Sequence, residues 1–200
     1  MVLTLPQFRN NFGALCLSQN VANIFVLILF ACWCAPVQFF FSGDLAAGFF
    51  GKLMGQLNQI FWHSLLYSHV VMSLNRFSAI VFPGWSNRLH ARGSTYLLIG
   101  TSWAIAAVSN IPYFFRDSCY MIYVPQKYAW QFSDNFCGHV IGIYMDCYAA
   151  MLVVIVLILL DIYTILHLKR LHKGVIKSTS SAELRRRRGL EIRFFMQVGV

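Results

Sequence analysis

Polar side chains that could bind a ligand recur at helical spacing within one long apolar stretch. They are separated by three or four residues, so a helix would carry all of them along one face. A carboxylate, Asp146, stands in a later apolar stretch, where it could hold a cationic ligand or pair with a histidine such as His63. The pattern predicts either a ligand pocket or a set of hydrogen bonds between helices. The candidate pocket residues are Gln56, Gln59, His63, Tyr67 and Asp146.

Patterns typical of catalysis are absent from the sequence. It contains no His-Glu-x-x-His pair, no phosphate-binding glycine loop and no convincing nucleophile with its base. The six cysteines do not have the spacing of a zinc site. Basic residues lie between apolar segments rather than on a soluble module, which argues against a nucleic-acid partner. We therefore expect no enzyme activity, no catalytic residues, no cofactor, no metal and no nucleic acid.

The segments that carry these side chains are apolar enough for a lipid bilayer. Hydrophobic residues make up 58% of the chain and charged residues only 12%, whereas a soluble domain needs a larger polar surface. The composition predicts an all-α bundle of transmembrane helices surrounded by membrane lipid. The predicted spans are approximately residues 12–41, 49–82, 95–115 and 139–168, and a further apolar run covers 192–200.

Positive charge is distributed unequally between the predicted loops. If the chain crosses four times, all of the 16 Lys and Arg residues except Lys52, Arg116 and Lys127 fall on one side. Because positively charged loops are retained in the cytoplasm, we predict that the amino end and the basic loop 169–191 are cytosolic. The loop 116–135 is then extracellular.

Two cysteines, Cys119 and Cys137, lie in the polar segment on the predicted outer side. An oxidising compartment permits a disulfide between them. Closing such a loop typically contributes about 3 kcal/mol, so we predict this bond.

Small residues also recur at a four-residue spacing. The two motifs are Gly51-x-x-x-Gly55 and Gly138-x-x-x-Gly142. This spacing lets helices approach closely, and we expect it to serve packing within the bundle.

A family resemblance is carried by the stretch Ser-Leu-Asn-Arg-Phe-Ser-Ala-Ile-Val-Phe-Pro at residues 73–83. It is similar to the Asp-Arg-Tyr region of rhodopsin-like receptors, and it resembles still more closely the Leu-Asn-Arg-Phe form of nematode serpentine receptors of class x. The resemblance implies that Asn75, Arg76 and Phe77 form the activation switch and couple to a G protein. Asn75 replaces the usual aspartate, and a neutral amide cannot pair ionically with Arg76. On physical grounds alone, Arg76 is instead an interfacial anchor.

The first predicted span contains Leu-Ser-Gln-Asn-Val-Ala-Asn-Ile at residues 17–24. This stretch looks like the part of the superfamily whose acidic residue supports an internal polar network, with Asn23 at that position. Asn20 and Asn23 are an i, i+3 pair, so we expect both amides to point into the bundle. Ordinary hydrogen bonding between helices explains the pair almost as well.

The resemblance implies an incomplete seven-helix receptor fold, with four full spans and the start of a fifth. It further implies a multi-pass chemosensory receptor in the plasma membrane of sensory neurons, which transmits the signal of an unknown small-molecule ligand to a heterotrimeric G protein. The alternative is a transporter or channel subunit with an ion or proton path through buried histidines and aspartates. Candidates for that path are His63, His69, Asp146 and Asp161.

Overall fold

The computed structural model describes residues 11–40, 43–82, 92–111 and 119–176. The predicted apolar run 192–200 and most of the basic loop 169–191 lie outside the described residues, as does the loop 83–91.

Long helices make up most of the described chain. Helix α3 ends at Val81, two residues before Pro83, because a proline disfavours the helical conformation in the residue that precedes it. The helices are α1 (Asn11–Phe39, with a π-helical segment at Phe30–Cys34), α2 (Gly43–Ala47), α3 (Phe49–Val81), α4 (Arg92–Ser109) and α5 (Phe136–Val140, a π-helical segment at Ile141–Tyr148, and Ala149–Ile176).

The polarity of the bundle is reversed relative to a soluble protein. The buried side chains of α3 are mainly polar or small, and they include Gln59, His63 and Ser64. Large apolar side chains are exposed instead, for example Leu27 at 67% and Leu159 at 61%. Exposed apolar surface on this scale would be unfavourable in water, so lipid is the medium that suits the fold.

Among the described residues, two helices are long and apolar enough to cross a membrane, namely Asn11–Phe39 and Phe136–Leu171. Helix α3 is longer than the first of these, but polar residues lower its hydropathy. The expectation of four full spans therefore stays a prediction.

Helix α3 occupies the centre of the bundle and packs against α1, α4 and α5. Aromatic rings fill the junction between α1, α3 and α4. Phe61 of α3 stacks on Phe25 of α1, with 4.5 Å between ring centroids, and meets Trp103 of α4 edge-on at 6.0 Å. These ring contacts pack α1 and α4 against α3.

A β-hairpin covers one end of the bundle, in a segment that the sequence predicts as a loop. Strands β1 (Met121–Val124) and β2 (Ala129–Phe132) pair antiparallel, and the turn uses Tyr128 in the left-handed conformation with φ 53°. Cys119 and Cys137 form a disulfide that ties β1 to the start of α5.

Glycines let the hairpin and its neighbours approach the helices closely. An added Cβ at Gly55 would collide with the backbone carbonyl of Met121, and one at Gly142 would lie 2.7 Å from the Phe132 ring. The same holds for Gly51 against Ala46. These glycine motifs therefore serve packing within the chain, although in the structure they contact the short helix α2 and the hairpin segment rather than other long helices.

Candidate functional site

A buried polar cluster joins three helices beneath the hairpin. The Gln59 side-chain amide donates to Asp146 Oδ1 over 3.1 Å, and His63 Nε2 lies 3.5 Å from the same oxygen. Gln59 and His63 are one turn apart on α3, and Asp146 faces them from α5. The sequence predicted these three residues as part of one pocket, and the fold brings them into contact.

Asn110, at the end of α4, is the residue of this cluster that sequence reasoning missed. It is fully buried, and its amide nitrogen donates to Ala106 O at 2.7 Å and lies 3.1 Å from His63 Nδ1. Because the amide nitrogen is a donor only, this contact is a hydrogen bond in the tautomer whose Nδ1 accepts. In that tautomer the imidazole proton is on Nε2, the ring nitrogen that lies near Asp146. Its position at the end of a helix is the only feature that could have suggested Asn110 as a member of this cluster.

The other two predicted pocket residues lie on the same face of α3. The Tyr67 ring stacks on His63 with 6.0 Å between centroids, and it extends the cluster toward the other end of the helix. Gln56 is buried one turn on the hairpin side of Gln59. The predicted stripe therefore faces the interior of the bundle, where polar groups avoid lipid.

The position of Asp146 depends on the local geometry of α5. Asp146 lies within the π-helical segment Ile141–Tyr148, and its side chain is 27% exposed. Extra residues in a π turn rotate the following side chains relative to a regular α-helix, and such turns are frequent at functional sites. No pattern in the sequence predicts this π-helical segment.

The structure agrees only partly with the polar network that the sequence predicts for Asn20 and Asn23 of α1. Asn20 is exposed and Asn23 is half-buried, whereas the buried stripe of α1 runs through Leu15, Ala22 and Leu29. Asn20 lies about 200° around the helix from Ala22, so its amide points away from α3. This differs from the expectation that both amides face the bundle.

Neighbouring residues of α1 make the polar contacts instead. Ser18 accepts a hydrogen bond from Trp103 Nε1 of α4 at 2.8 Å. The Gln19 amide lies 2.9 Å from His69 Nε2 of α3. Both contacts are ordinary hydrogen bonds between helices, as the sequence allowed.

A second junction between α3 and α5 lies near the end of α3. Ser73 Oγ donates to Asp161 Oδ1 at 2.8 Å. Arg76 follows one turn later, and its Nε is buried without a hydrogen-bond partner in the part of the chain that the structure describes. Phe77 packs against Tyr163 of α5 with 5.7 Å between centroids. Asn75 contributes its backbone carbonyl, which accepts from Ser78 Oγ at 2.9 Å.

A family model described as "Serpentine type 7TM GPCR chemoreceptor Srx" matches residues 1–200. The chain belongs to the Srx family. It is also 25% identical over 204 residues to serpentine receptor class X 45 of Caenorhabditis elegans, a match that covers 97% of this chain and 54% of the relative.

The Srx family consists of seven-helix membrane proteins of the serpentine chemoreceptor type, which are receptors rather than enzymes. The chain spans about half the length of the curated relative that it matches. The family match agrees with the resemblance that residues 73–83 carry.

The polar residues of this Srx chain do not form one continuous path among the described residues. His63 pairs with Asp146, His69 contacts Gln19, and Asp161 accepts from Ser73. An ion or proton path would need these groups to be linked along the bundle. In the described residues these groups instead form three separate junctions between helices.

Proposed function

We propose that the chain is part of a chemosensory receptor that detects an extracellular small molecule and acts on a heterotrimeric G protein. The observation that carries this proposal is that α3 and α5 are joined by carboxylates at two levels. Asp146 makes the outer junction with Gln59 and His63, and Asp161 makes the inner junction with Ser73. The two aspartates are 15 residues apart, which is about 22 Å along a helix.

The outer junction is suited to ligand binding. Asp146 is partly exposed, and its partners are the neutral amide of Gln59 and the imidazole of His63. A ligand that competes for these donors, or for the carboxylate, would favour an arrangement of α3 and α5 that differs from the one described. Binding of this kind shifts the population of helix arrangements only by its difference in affinity for the two states.

The inner junction is suited to passing that change to a cytosolic partner. Arg76 lies three residues after Ser73, so the two share a face of α3. If α5 moves, Ser73 loses its acceptor and the environment of Arg76 changes. In this proposal, Asn75, Arg76 and Phe77 form the surface that meets the G protein.

The proposed orientation places the hairpin outside the cell and the end of α5 inside. The disulfide at Cys119 suits an oxidising compartment, and the exposed Lys169 and Arg170 suit the cytosol. We place the receptor in the plasma membrane of sensory neurons, as its family name as a chemoreceptor suggests.

Replacing Arg76 with alanine is expected to abolish coupling. The measurement is ligand-dependent nucleotide exchange on a heterotrimeric G protein, in membranes carrying a chimera in which this chain replaces the matching part of serpentine receptor class X 45. We expect exchange to fall at least about tenfold, because a charged contact to the partner is lost. Arg170→Ala, at an exposed position outside the switch, is the matched control and should retain exchange.

Surface delivery must be the same for both variants. Unchanged exchange in Arg76→Ala would contradict the proposal, and altered ion flux without any effect on exchange would favour the transporter instead.

A further inference from the structure

An aromatic cluster lies beneath the hairpin, apart from the polar cluster of Asp146. Its centre is formed by Cys34, Val37, Ala46 and Tyr123, which are buried together. Two tryptophans, Trp33 of α1 and Trp130 of β2, pack against this centre from different elements. We call these residues the hairpin cluster.

Both tryptophans in the hairpin cluster have a buried indole N–H without a hydrogen-bond partner. This holds for Nε1 of Trp33 and Nε1 of Trp130 among the described residues. By contrast, Trp103 donates its N–H to Ser18 Oγ at 2.8 Å. Buried indole N–H groups normally find an acceptor, because leaving one unpaired is unfavourable. Two unpaired donors against one apolar centre therefore indicate an acceptor that the described residues do not supply.

The side chains around Trp130 indicate which groups would contact a bound acceptor. Trp130 contacts Phe30 edge-on at 6.5 Å and Tyr123 edge-on at 5.7 Å between centroids. The Tyr123 hydroxyl is already committed, since it donates to Gln38 Oε1 at 3.1 Å. Burial raises the pKa of the Tyr123 phenol above its ordinary value, so the hydroxyl keeps its proton at neutral pH.

The local backbone also departs from regular geometry at this position. Phe30 and Trp33 lie in the π-helical segment Phe30–Cys34 of α1. Single π turns inside α-helices occur frequently at functional sites. The same feature holds Asp146 in α5. Irregular turns thus occur at both clusters near the hairpin.

We propose that the hairpin cluster binds a small molecule that presents an oxygen acceptor to the indole N–H groups of Trp33 and Trp130. The acceptor is a carbonyl or carboxylate oxygen, and an apolar body packs against the rings of Phe30 and Tyr123. A ligand that offers only donors, such as an alkylammonium, leaves both N–H groups unpaired and is not bound here. The site shares no residue with the Asp146 cluster and does not depend on coupling to a G protein.

The test uses the 200-residue chain in lipid nanodiscs and follows the indole N–H signals of its five tryptophans by ¹⁵N nuclear magnetic resonance. The probes are hexanoate, 2-hexanone and hexylammonium, which have similar apolar bodies and different head groups. We expect hexanoate or 2-hexanone to shift the Trp33 and Trp130 signals and leave Trp103 unchanged. Hexylammonium should shift neither.

Trp33→Phe and Trp130→Phe keep an aromatic ring and remove the N–H, so they assign the signals and test the contact. Each should weaken binding of the acceptor probe about tenfold. Trp103→Phe is the matched control and should leave the affinity unchanged. The two variants are measured separately. If one of them does not fold, the other still tests the proposed contact.

Three results would overturn the proposal. One is that no acceptor probe shifts the two signals, which means that the N–H groups keep bound water. A second is that all tryptophan signals shift equally, which indicates partition of the probe into lipid. The third is that both phenylalanine variants bind the probe as tightly as the original chain.

Discussion

Gly55→Ala is expected to destabilise the hairpin end of the bundle by about 1–3 kcal/mol. The added methyl group would collide with the backbone carbonyl of Met121. That carbonyl cannot move away easily, because β1 is paired with β2 and is tied to α5 through Cys119. The measurement is the thermal unfolding midpoint of the chain in nanodiscs, which we expect to fall.

Gly100→Ala is the matched control for this substitution. A Cβ at Gly100 meets nothing within 4 Å, and alanine favours the helix by about 1 kcal/mol. Its midpoint should stay the same or rise. Equal midpoints for both alanine variants would show that the hairpin does not pack against α3 as described.

The second large effect is expected for Asp146→Leu. Leucine removes the acceptor that Gln59 and His63 share, so two buried donors lose their partner. The cost of leaving each such donor unpaired is about 1–3 kcal/mol, and we expect an unfolding midpoint well below that of the original chain. Asp146→Asn keeps a side chain of the same shape with one acceptor oxygen, so its unfolding midpoint should fall much less.

Asp134→Asn is the control for removal of a carboxylate, because Asp134 is exposed near the hairpin. It should unfold at the original temperature. If Asp146→Leu did so as well, the outer junction would contribute nothing to the contact between α3 and α5.

Periodicity was sufficient to predict which face of α3 is polar and buried. Gln59 and His63 repeat at the helical interval, and burying such groups away from lipid is the only inexpensive arrangement in a membrane. Composition likewise predicted long helices. The cysteine pair could be matched because Cys119 and Cys137 were the two thiols of one polar segment.

Contacts between distant segments were not predictable in the same way. Asn110 lies 47 residues after His63, and nothing in the spacing of either residue indicates their contact. The π-helical segments that hold Trp33 and Asp146 depend on packing rather than on a sequence signal. Asn20 was expected inside because an i, i+3 pair defines a common face, but the pair itself does not say which way that face points.

The proposed function requires that the outer and inner junctions of α3 and α5 are coupled. This coupling is tested by measuring the distance between two spin labels, one at Leu74 of α3 and one at Leu166 of α5, which are both exposed. The free cysteines are replaced before labelling. We expect that Asp146→Leu, which acts only at the outer junction, changes this distance by about 2 Å, the size of the small helix shifts that occur in switching proteins. An unchanged distance, equal to that of Asp134→Asn, would contradict the coupling on which the proposed function rests.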